Sequence, residues 1–427
     1  MEDPTDGAPG IWVVMDLVPN KRGSLEQGVL ALAARLQTVH ANSTFVFATP
    51  PAEWLSSALD ERGVTTRILD FRRPAVATIE FAKWLRAAPP TLVHFHFVRA
   101  HSPLVLMAHA TGARTIVHEH ITLGQAVPPY RDHSPRVKSL LRPLKRLRAA
   151  TIGRWVDARL AVSVFVAASV IDAEHFPSER IEVIPNGVDI SRFLKADANA
   201  LRWELKIGPR PLVACVSRMS REKGVDILIR AIARVRDDVA LVIAGNGADM
   251  EKCKQLAHDL GVSDRVYFLG LRDDVENVYA AANVVVMPSL WDEAFGLCVV
   301  EAMAAGRPVV VTDSGAMPEI IANGDCGAVV PKADDVAMAA AISALLDNPE
   351  RAAKVGNAAR QRAITMYPIE KWVDALIKAY SRLVPMIQRR DSVVVSFDDF
   401  APGAEKLPQA ASSPMADAAS GERTAIG

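Results

Sequence analysis

The sequence predicts an α/β protein of two Rossmann-like parallel-sheet domains facing across a cleft. Three observations carry the prediction. Short apolar runs alternate with amphipathic helical stretches over almost the whole length, the pattern of βα units stacked into parallel sheets. At 427 residues the chain exceeds what one ordinary core accommodates. A cluster of turn formers, Pro185-Asn186-Gly187-Val188-Asp189, separates two sets of such runs.

Taken in order, the first set places strands at 11–18, 44–48, 66–69, 91–97, 114–117, 158–162 and 181–184. The second set places them at 212–217, 239–244, 266–269, 284–287, 308–311 and 327–330. The expected organisation is a flexible tail at 1–10, an N-terminal domain at 11–190 and a C-terminal domain at 191–366, entered through a less apolar linker that ends near Pro211. The pattern IEKWVDALIKAYSRLV then predicts a helix at 367–384. Beyond it, 385–427 turns rich in Ala, Ser, Pro and Gly and is expected to be mostly disordered.

Composition narrows the function classes. Lys plus Arg equals Asp plus Glu at 49 each, so no overall basicity points to nucleic acid. Cys215, Cys253, Cys298 and Cys326 lack ligand or disulfide spacing, and no metal site is expected from them. The acidic MEDPTDGAPG start does not read as a secretory signal and no run is long enough to span a bilayer, so a cytoplasmic protein is expected. Arg136, Lys138, Arg142, Lys145, Arg146, Arg148 and Arg154 interleave with Leu, Ile and Trp. That segment, 136–154, reads either as a solvated helix face or as a peripheral contact with anionic lipid.

Two constellations carry chemistry. In VACVSRMSREKGVDILIRAIARV, Arg218 and Lys223 follow a buried strand and precede a helix, where open α/β sheets bind ligands and helix N-termini favour anions. Two cations there suit a diphosphate; a solvated helix start is the plain alternative. In MPSLWDEAFGLCVVEAMAAGRPVVV, Glu293 lies in a loop and Glu301 in a helix expected to begin near Leu297. Phe295-Gly296 permits close backbone approach, and the amides of Leu297 and Cys298 would face an anion. Eight helical residues rise ~12 Å, more than separates a hydrolytic carboxylate pair, so the two acids suit opposite ends of an elongated ligand. A Glu near a helix start is otherwise a favourable partner of the helix dipole.

Together with PNGVD at 185–189, SRMSREKG at 217–224 and LVIAGNGADM at 241–250, the long stretch PSLWDEAFGLCVVEAMAAGRPVVVTDSGAMPEII at 288–321 resembles glycosyltransferase family 4. The resemblance covers about 11–384. It implies the GT-B fold, the 367–384 helix crossing back to the first domain, and retaining transfer of a hexose from a GDP- or UDP-sugar to a glycan or lipid-linked acceptor. With two cations available for the diphosphate, no cofactor and no tightly bound metal are expected. Arg218 and Lys223 would then neutralise the diphosphate, Glu293 would touch the hexose and Glu301 the ribose. Gly296, Leu297 and Cys298 would contact sugar and phosphate, with Phe295 beside them. The backbone at Gly270 and Leu271 would read the base.

In the first domain, Gly23-Ser24 would close over the phosphates, unless Ser24 is only a helix N-cap. The family often carries two glycines there. His120, ahead of His118, would contact the transferring sugar. His94, His96 and His101 read more readily as histidines with ordinary partners than as a metal site. A sugar-nucleotide 2-epimerase of the same architecture is the alternative enzyme, and a non-catalytic sugar-nucleotide-binding protein is the alternative outside catalysis.

Overall fold

The structure is a computed structural model that describes residues 8–122, 155–174 and 176–387. Residues 1–7 of the expected N-terminal tail, the basic segment 136–154 and residues 388–427 of the expected C-terminal tail lie outside the described residues.

Every strand expected from the sequence forms, in the expected order. Strands β1 (Gly10–Met15), β2 (Asn42–Phe47), β3 (Thr65–Ile68), β4 (Leu92–His96), β5 (Arg114–Glu119), β6 (Ala158–Ala161) and β7 (Ile181–Val183) make one sheet. Its order is β3-β2-β1-β4-β5-β6-β7. Strands β8 (Leu212–Val216), β9 (Ala240–Ala244), β10 (Val266–Gly270), β11 (Val284–Met287), β12 (Val309–Thr312) and β13 (Gly327–Val330) make the second, ordered β10-β9-β8-β11-β12-β13. All ladders are parallel. Both faces of such sheets are covered, which is why runs such as Leu212–Cys215 and Ala240–Ala244 are fully buried and read as unbroken apolar sequence.

β1 ends earlier than expected. The Leu17 amide turns back onto the Met15 carbonyl at 2.8 Å, which takes Val18 out of the sheet and into solvent. The stretch expected as a linker is also largely helical. Asp189 and Asp197 cap the helices Ile190–Leu194 and Ala198–Leu205 by accepting from backbone amides, and Phe193 and Leu201 are buried. The sequence signal there was weak because these two short helices bury few apolar side chains.

In both sheets the strand order reverses at one place, between β1 and β4 and between β8 and β11. Chain segments leaving those four strands diverge to opposite faces and open a crevice at the carboxyl ends. The segments expected to carry chemistry, around Gly23, Arg218 and Glu293, leave from β1, β8 and β11.

The chain then returns to its beginning. Val188 donates to the Tyr367 carbonyl and Ile369 to that of Val188, at 2.9 and 3.0 Å. The helix Ile369–Leu383 packs on the helix Ser24–Thr38, where a β-carbon on Gly28 would stand 3.2 Å from the Trp372 ring and Arg35 pairs with Asp374 at 3.1 Å. Three further contacts join the lobes. Ser163 Oγ donates to the Ala294 carbonyl at 2.6 Å. Arg192 donates to the carbonyls of Arg22 and Asp273 at 2.9 and 2.6 Å. Glu319 accepts the amides of Val164 and Phe165 at 3.1 and 3.2 Å, so its charge sits at the N-terminus of the helix Val164–Glu174.

Among the described residues no helix is long and apolar enough to cross a membrane.

Gly224 holds the β8 loop against the β11 loop. Its φ is +63°, and a β-carbon would lie 2.1 Å from the Pro288 carbonyl oxygen. Both conditions exclude a side chain. Gly224→Ala is therefore expected to cost roughly 1–3 kcal/mol in strain alone, read as a lowered urea midpoint; an unchanged midpoint would show that the two loops are not held in register here.

Candidate functional site

Glu293 leaves β11 through a loop fixed by hydroxyls. Ser289 Oγ donates to Glu293 Oε1 at 2.7 Å, and Lys223 Nζ donates to the same oxygen at 2.6 Å. Thr312 Oγ1 donates to the Ser289 carbonyl at 2.6 Å, and Ala316 N–H to the Glu293 carbonyl at 2.8 Å. The Lys223–Glu293 pair is mostly shielded, with 21% and 14% of the two side chains exposed. A charged hydrogen bond in such a place is worth about 1.5–3 kcal/mol.

The two expected cations thus part company. Lys223 lies against the acid expected at the hexose. Arg218 is 66% exposed and pairs with Glu222 at 2.9 Å, a contact that solvent screens to little net value. Spacing alone put both at one anion; the pairing acids Glu222 and Glu293 decide where each sits without a ligand.

Glu301 lies inside the helix Leu297–Ala304, which starts at the expected residue behind Gly296 with φ +104°. Its carboxylate is buried and fully engaged. Ser24 Oγ, from the opposite lobe, donates to Oε1 at 2.6 Å, and Tyr279 donates to Oε2 at 2.9 Å. Ser24 is therefore not the N-cap of its helix. Gly23 holds that position, and the Ser24 hydroxyl reaches across the cleft instead.

The other expected donor contacts divide by side chain and backbone. Phe295 is buried and its ring meets Tyr367 edge-on at 5.6 Å, so only its backbone remains for a ligand. The Cys298 thiol is pushed up to about 12 by burial, with the nearby Glu301 charge adding to the effect, which leaves it an inert thiol. Gly270 ends β10 at φ +69°, and the Leu271 side chain is 80% exposed.

Sequence reasoning missed Tyr279, Ser289 and Glu26. Tyr279 holds Glu301, the acid expected at the ribose, and Ser289 holds Glu293, the acid expected at the hexose; their one signal was a polar side chain near an apolar run. Glu26 is fully buried with neither carboxyl oxygen in a hydrogen bond among the described residues. Burial pushes its carboxyl up, against the lowering effect of its own backbone N–H, of Lys21 and of the Gly23 backbone; the Glu301 charge adds to the rise.

Four histidines gather at the ends of β4 and β5. His96 stands beside His118 in the ladder, and the rings of His118 and His120 are 4.4 Å apart. His96 Nδ1 is 2.9 Å from His120 Nε2, His96 Nε2 is 3.2 Å from His94 Nδ1, and that nitrogen is 2.6 Å from the Tyr380 hydroxyl. Ring nitrogens of His94, His96 and His118 lie within 4.8 Å of one another, near enough to be drawn onto one ion. His96, however, already uses both of its nitrogens in hydrogen bonds.

A cavity of about 500 Å³ lies elsewhere, lined by Arg221, Asp226, Arg230, Asp249, Lys252 and Cys253 among others. None of Arg218, Lys223, Glu293 or Glu301 lines it. Its cations stand among acids, with Lys252 paired to Asp249 at 2.7 Å, so it offers an anion no net attraction.

Two doubly wound sheets with an acid-and-lysine cleft at their switch points define a glycosyltransferase of GT-B architecture. The comparisons agree. Residues 25–192 match the family described as Glycosyltransferase Family 4, and residues 197–362 match Glycosyl transferases group 1. The GDP-mannose-dependent alpha-(1-6)-phosphatidylinositol monomannoside mannosyltransferase of Mycolicibacterium smegmatis is 35% identical over 281 residues, 62% of this chain and 70% of that protein. The D-inositol 3-phosphate glycosyltransferase of the same organism is 32% identical over 288 residues, 66% of this chain and 62% of that protein. The Anabaena protein HepE in complex with UDP superposes with a TM-score of 0.73 at 20% identity, over 87% of this chain and all of that one. The chain belongs to glycosyltransferase family 4.

The histidine cluster makes stability depend on pH. Burial holds His118 down to about 3 and His94, His96 and His120 well below the ordinary imidazole range, the last three helped by one another and by His118. They stay neutral when folded, whereas unfolded imidazoles take up protons near pH 6.5. Their stabilising contribution is full above that pH and is lost as pH falls toward the folded values, by about 1.4 kcal/mol per pH unit for each. His118→Leu is expected to lower proton uptake on unfolding at pH 5 by about one, measured calorimetrically in buffers of different ionisation enthalpy. An unchanged uptake would mean that His118 is already charged in the folded protein.

Proposed function

We propose that this glycosyltransferase moves a hexose, with retention of configuration, from a nucleoside-diphosphate sugar to a glycan or lipid-linked acceptor. The observations that carry the reading are the pairing of Lys223 with Glu293 and, separately, the Glu301 carboxylate, which already holds two hydroxyl donors. A carboxylate so placed is built to accept from hydroxyls, as a ribose diol would supply.

In this reading the ribose displaces Ser24 from Glu301, and the diphosphate approaches Lys223, Arg218 and the amides of Leu297 and Cys298. Those groups stabilise the charge that develops as the diphosphate leaves. Glu293 and His120 would hold the hexose while the acceptor hydroxyl attacks from the face the diphosphate has left, its proton passing to an oxygen of the departing diphosphate. No protein-bound sugar is required.

The family relative named for GDP-mannose makes a GDP-sugar the first donor to try, and the relatives named for phosphatidylinositol mannoside and inositol phosphate favour an acceptor rich in ring hydroxyls. A peripheral place at a membrane fits a lipid-linked acceptor. The 2-epimerase reading differs in one respect, since it would convert a nucleotide-sugar with no acceptor present.

Thermal shifts with GDP, UDP and their sugars, followed by transfer to an inositol-containing acceptor, test this directly. A ligand at a hundred times its Kd adds about 2.7 kcal/mol to apparent stability. Lys223→Ala with Arg218→Ala is expected to abolish most of that shift, and Glu293→Gln to lower turnover by about 100-fold or more with the fold intact. Full shifts in the double variant, or unimpaired transfer by Glu293→Gln, would refute the assignment.

A further inference from the structure

We propose that Tyr380, His94 and His96 are positioning residues, a directed hydrogen-bond chain from the returning C-terminal helix that holds His120 in its Nε2–H tautomer. The proposal rests on the placement of His120 at the sugar made above, and deepens it.

The direction follows from counting protons. A neutral imidazole has one N–H and one lone pair, and a phenol has one O–H. Tyr380 is fully buried, and its hydroxyl lies 2.6 Å from His94 Nδ1. If the phenol donates, His94 Nδ1 is the bare nitrogen. His96 Nε2, 3.2 Å from it, then carries its proton and shares the single His94 Nδ1 lone pair with the phenol in a longer three-centre bond, and His96 Nδ1 is bare. His120 Nε2, 2.9 Å from His96 Nδ1, must in turn carry the proton. His120 Nδ1 is left with a lone pair, able to accept from a sugar hydroxyl.

The reverse order fits less well. It strands the Tyr380 O–H and the His94 Nε2 lone pair, since His94 Nε2 has no partner in either case. The forward order strands only the His94 Nε2–H. An unpaired buried donor is costly, so the arrangement with the fewer unpaired groups prevails.

The far end of the chain is clamped independently. Phe97 adopts φ +61°, a strained value for a residue with a side chain, and its ring stacks on that of His120 at 4.5 Å and 25°. Strain spent on holding one ring against another marks His120 as a group whose orientation matters. Because the anchor, Tyr380, belongs to the helix Ile369–Leu383, docking of the C-terminal segment sets the hydrogen-bonding face that His120 shows.

A metal on His94, His96 and His118 is the competing use of the same nitrogens. It would take one ring nitrogen of His96 and so break the contact of His96 with either His94 or His120.

Long-range proton–nitrogen spectra of histidine-labelled full-length protein distinguish protonated from bare ring nitrogens. Wild type should show His96 and His120 each as a single Nε2–H form, with no stoichiometric zinc by elemental analysis. Tyr380→Phe keeps the ring and removes the donor. It should mix the tautomers of both histidines and lower kcat at least about tenfold while leaving the donor KM unchanged. His96→Asn, which cuts the chain nearer its end, should do the same. Nδ1–H at His120 in wild type, tautomers unmoved by Tyr380→Phe, or one bound zinc per chain would overturn the proposal. Tautomers as expected together with full transfer by His120→Ala would uphold the chain and remove His120 from the sugar site.

Discussion

The hydrogen bond from Ser24 to Glu301 is the contact on which the arrangement of this cleft turns. It is buried, 2.6 Å long, and joins residues 277 positions apart in sequence, one from each lobe. It exists because Gly23 takes the N-cap and releases the Ser24 hydroxyl, and because Tyr279 fixes the other oxygen of the same carboxylate. Ser163 on the Ala294 carbonyl and Glu319 on the helix Val164–Glu174 hold the same two walls together. The Arg192 contact with the Arg22 carbonyl and the returning helix Ile369–Leu383 join the same two lobes.

The polar groups of the site are partnered within the protein. Lys223 holds Glu293, Arg218 holds Glu222, and each Glu301 oxygen accepts from one hydroxyl. Unpaired charges in a partly dry cleft would be costly, and a donor that brings its own diphosphate and hydroxyls can exchange partners at little net cost. The cavity of about 500 Å³ lies elsewhere, among the mixed charges of Arg221, Asp249 and Lys252.

The sheets were legible because buried parallel strands leave an uninterrupted apolar signature, as in Val284–Met287 and Val309–Thr312. The helices Ile190–Leu194 and Ala198–Leu205 were not, since they bury little and read as linker. At the site, the residue types and their loops could be read from the motif around Glu293 and Glu301. Their partners could not. Whether Ser24 caps a helix or crosses a cleft depends on the approach of two lobes, and whether Lys223 meets phosphate or Glu293 depends on the fold of the Ser289 loop. The histidine chain was hidden for the same reason: Tyr380 is 286 residues from His94, and no local pattern joins them.

A structure of the protein bound to a nucleoside-diphosphate sugar tests the central claim most directly, because it shows what takes the place of Ser24 on Glu301. The account predicts the ribose diol on Glu301 with the Ser24 hydroxyl displaced, the diphosphate against Lys223 and the amides of Leu297 and Cys298, and the hexose on Glu293. A nucleotide seated in the cavity of Arg221 and Lys252, or bound in the cleft with the Ser24–Glu301 hydrogen bond intact, would contradict it.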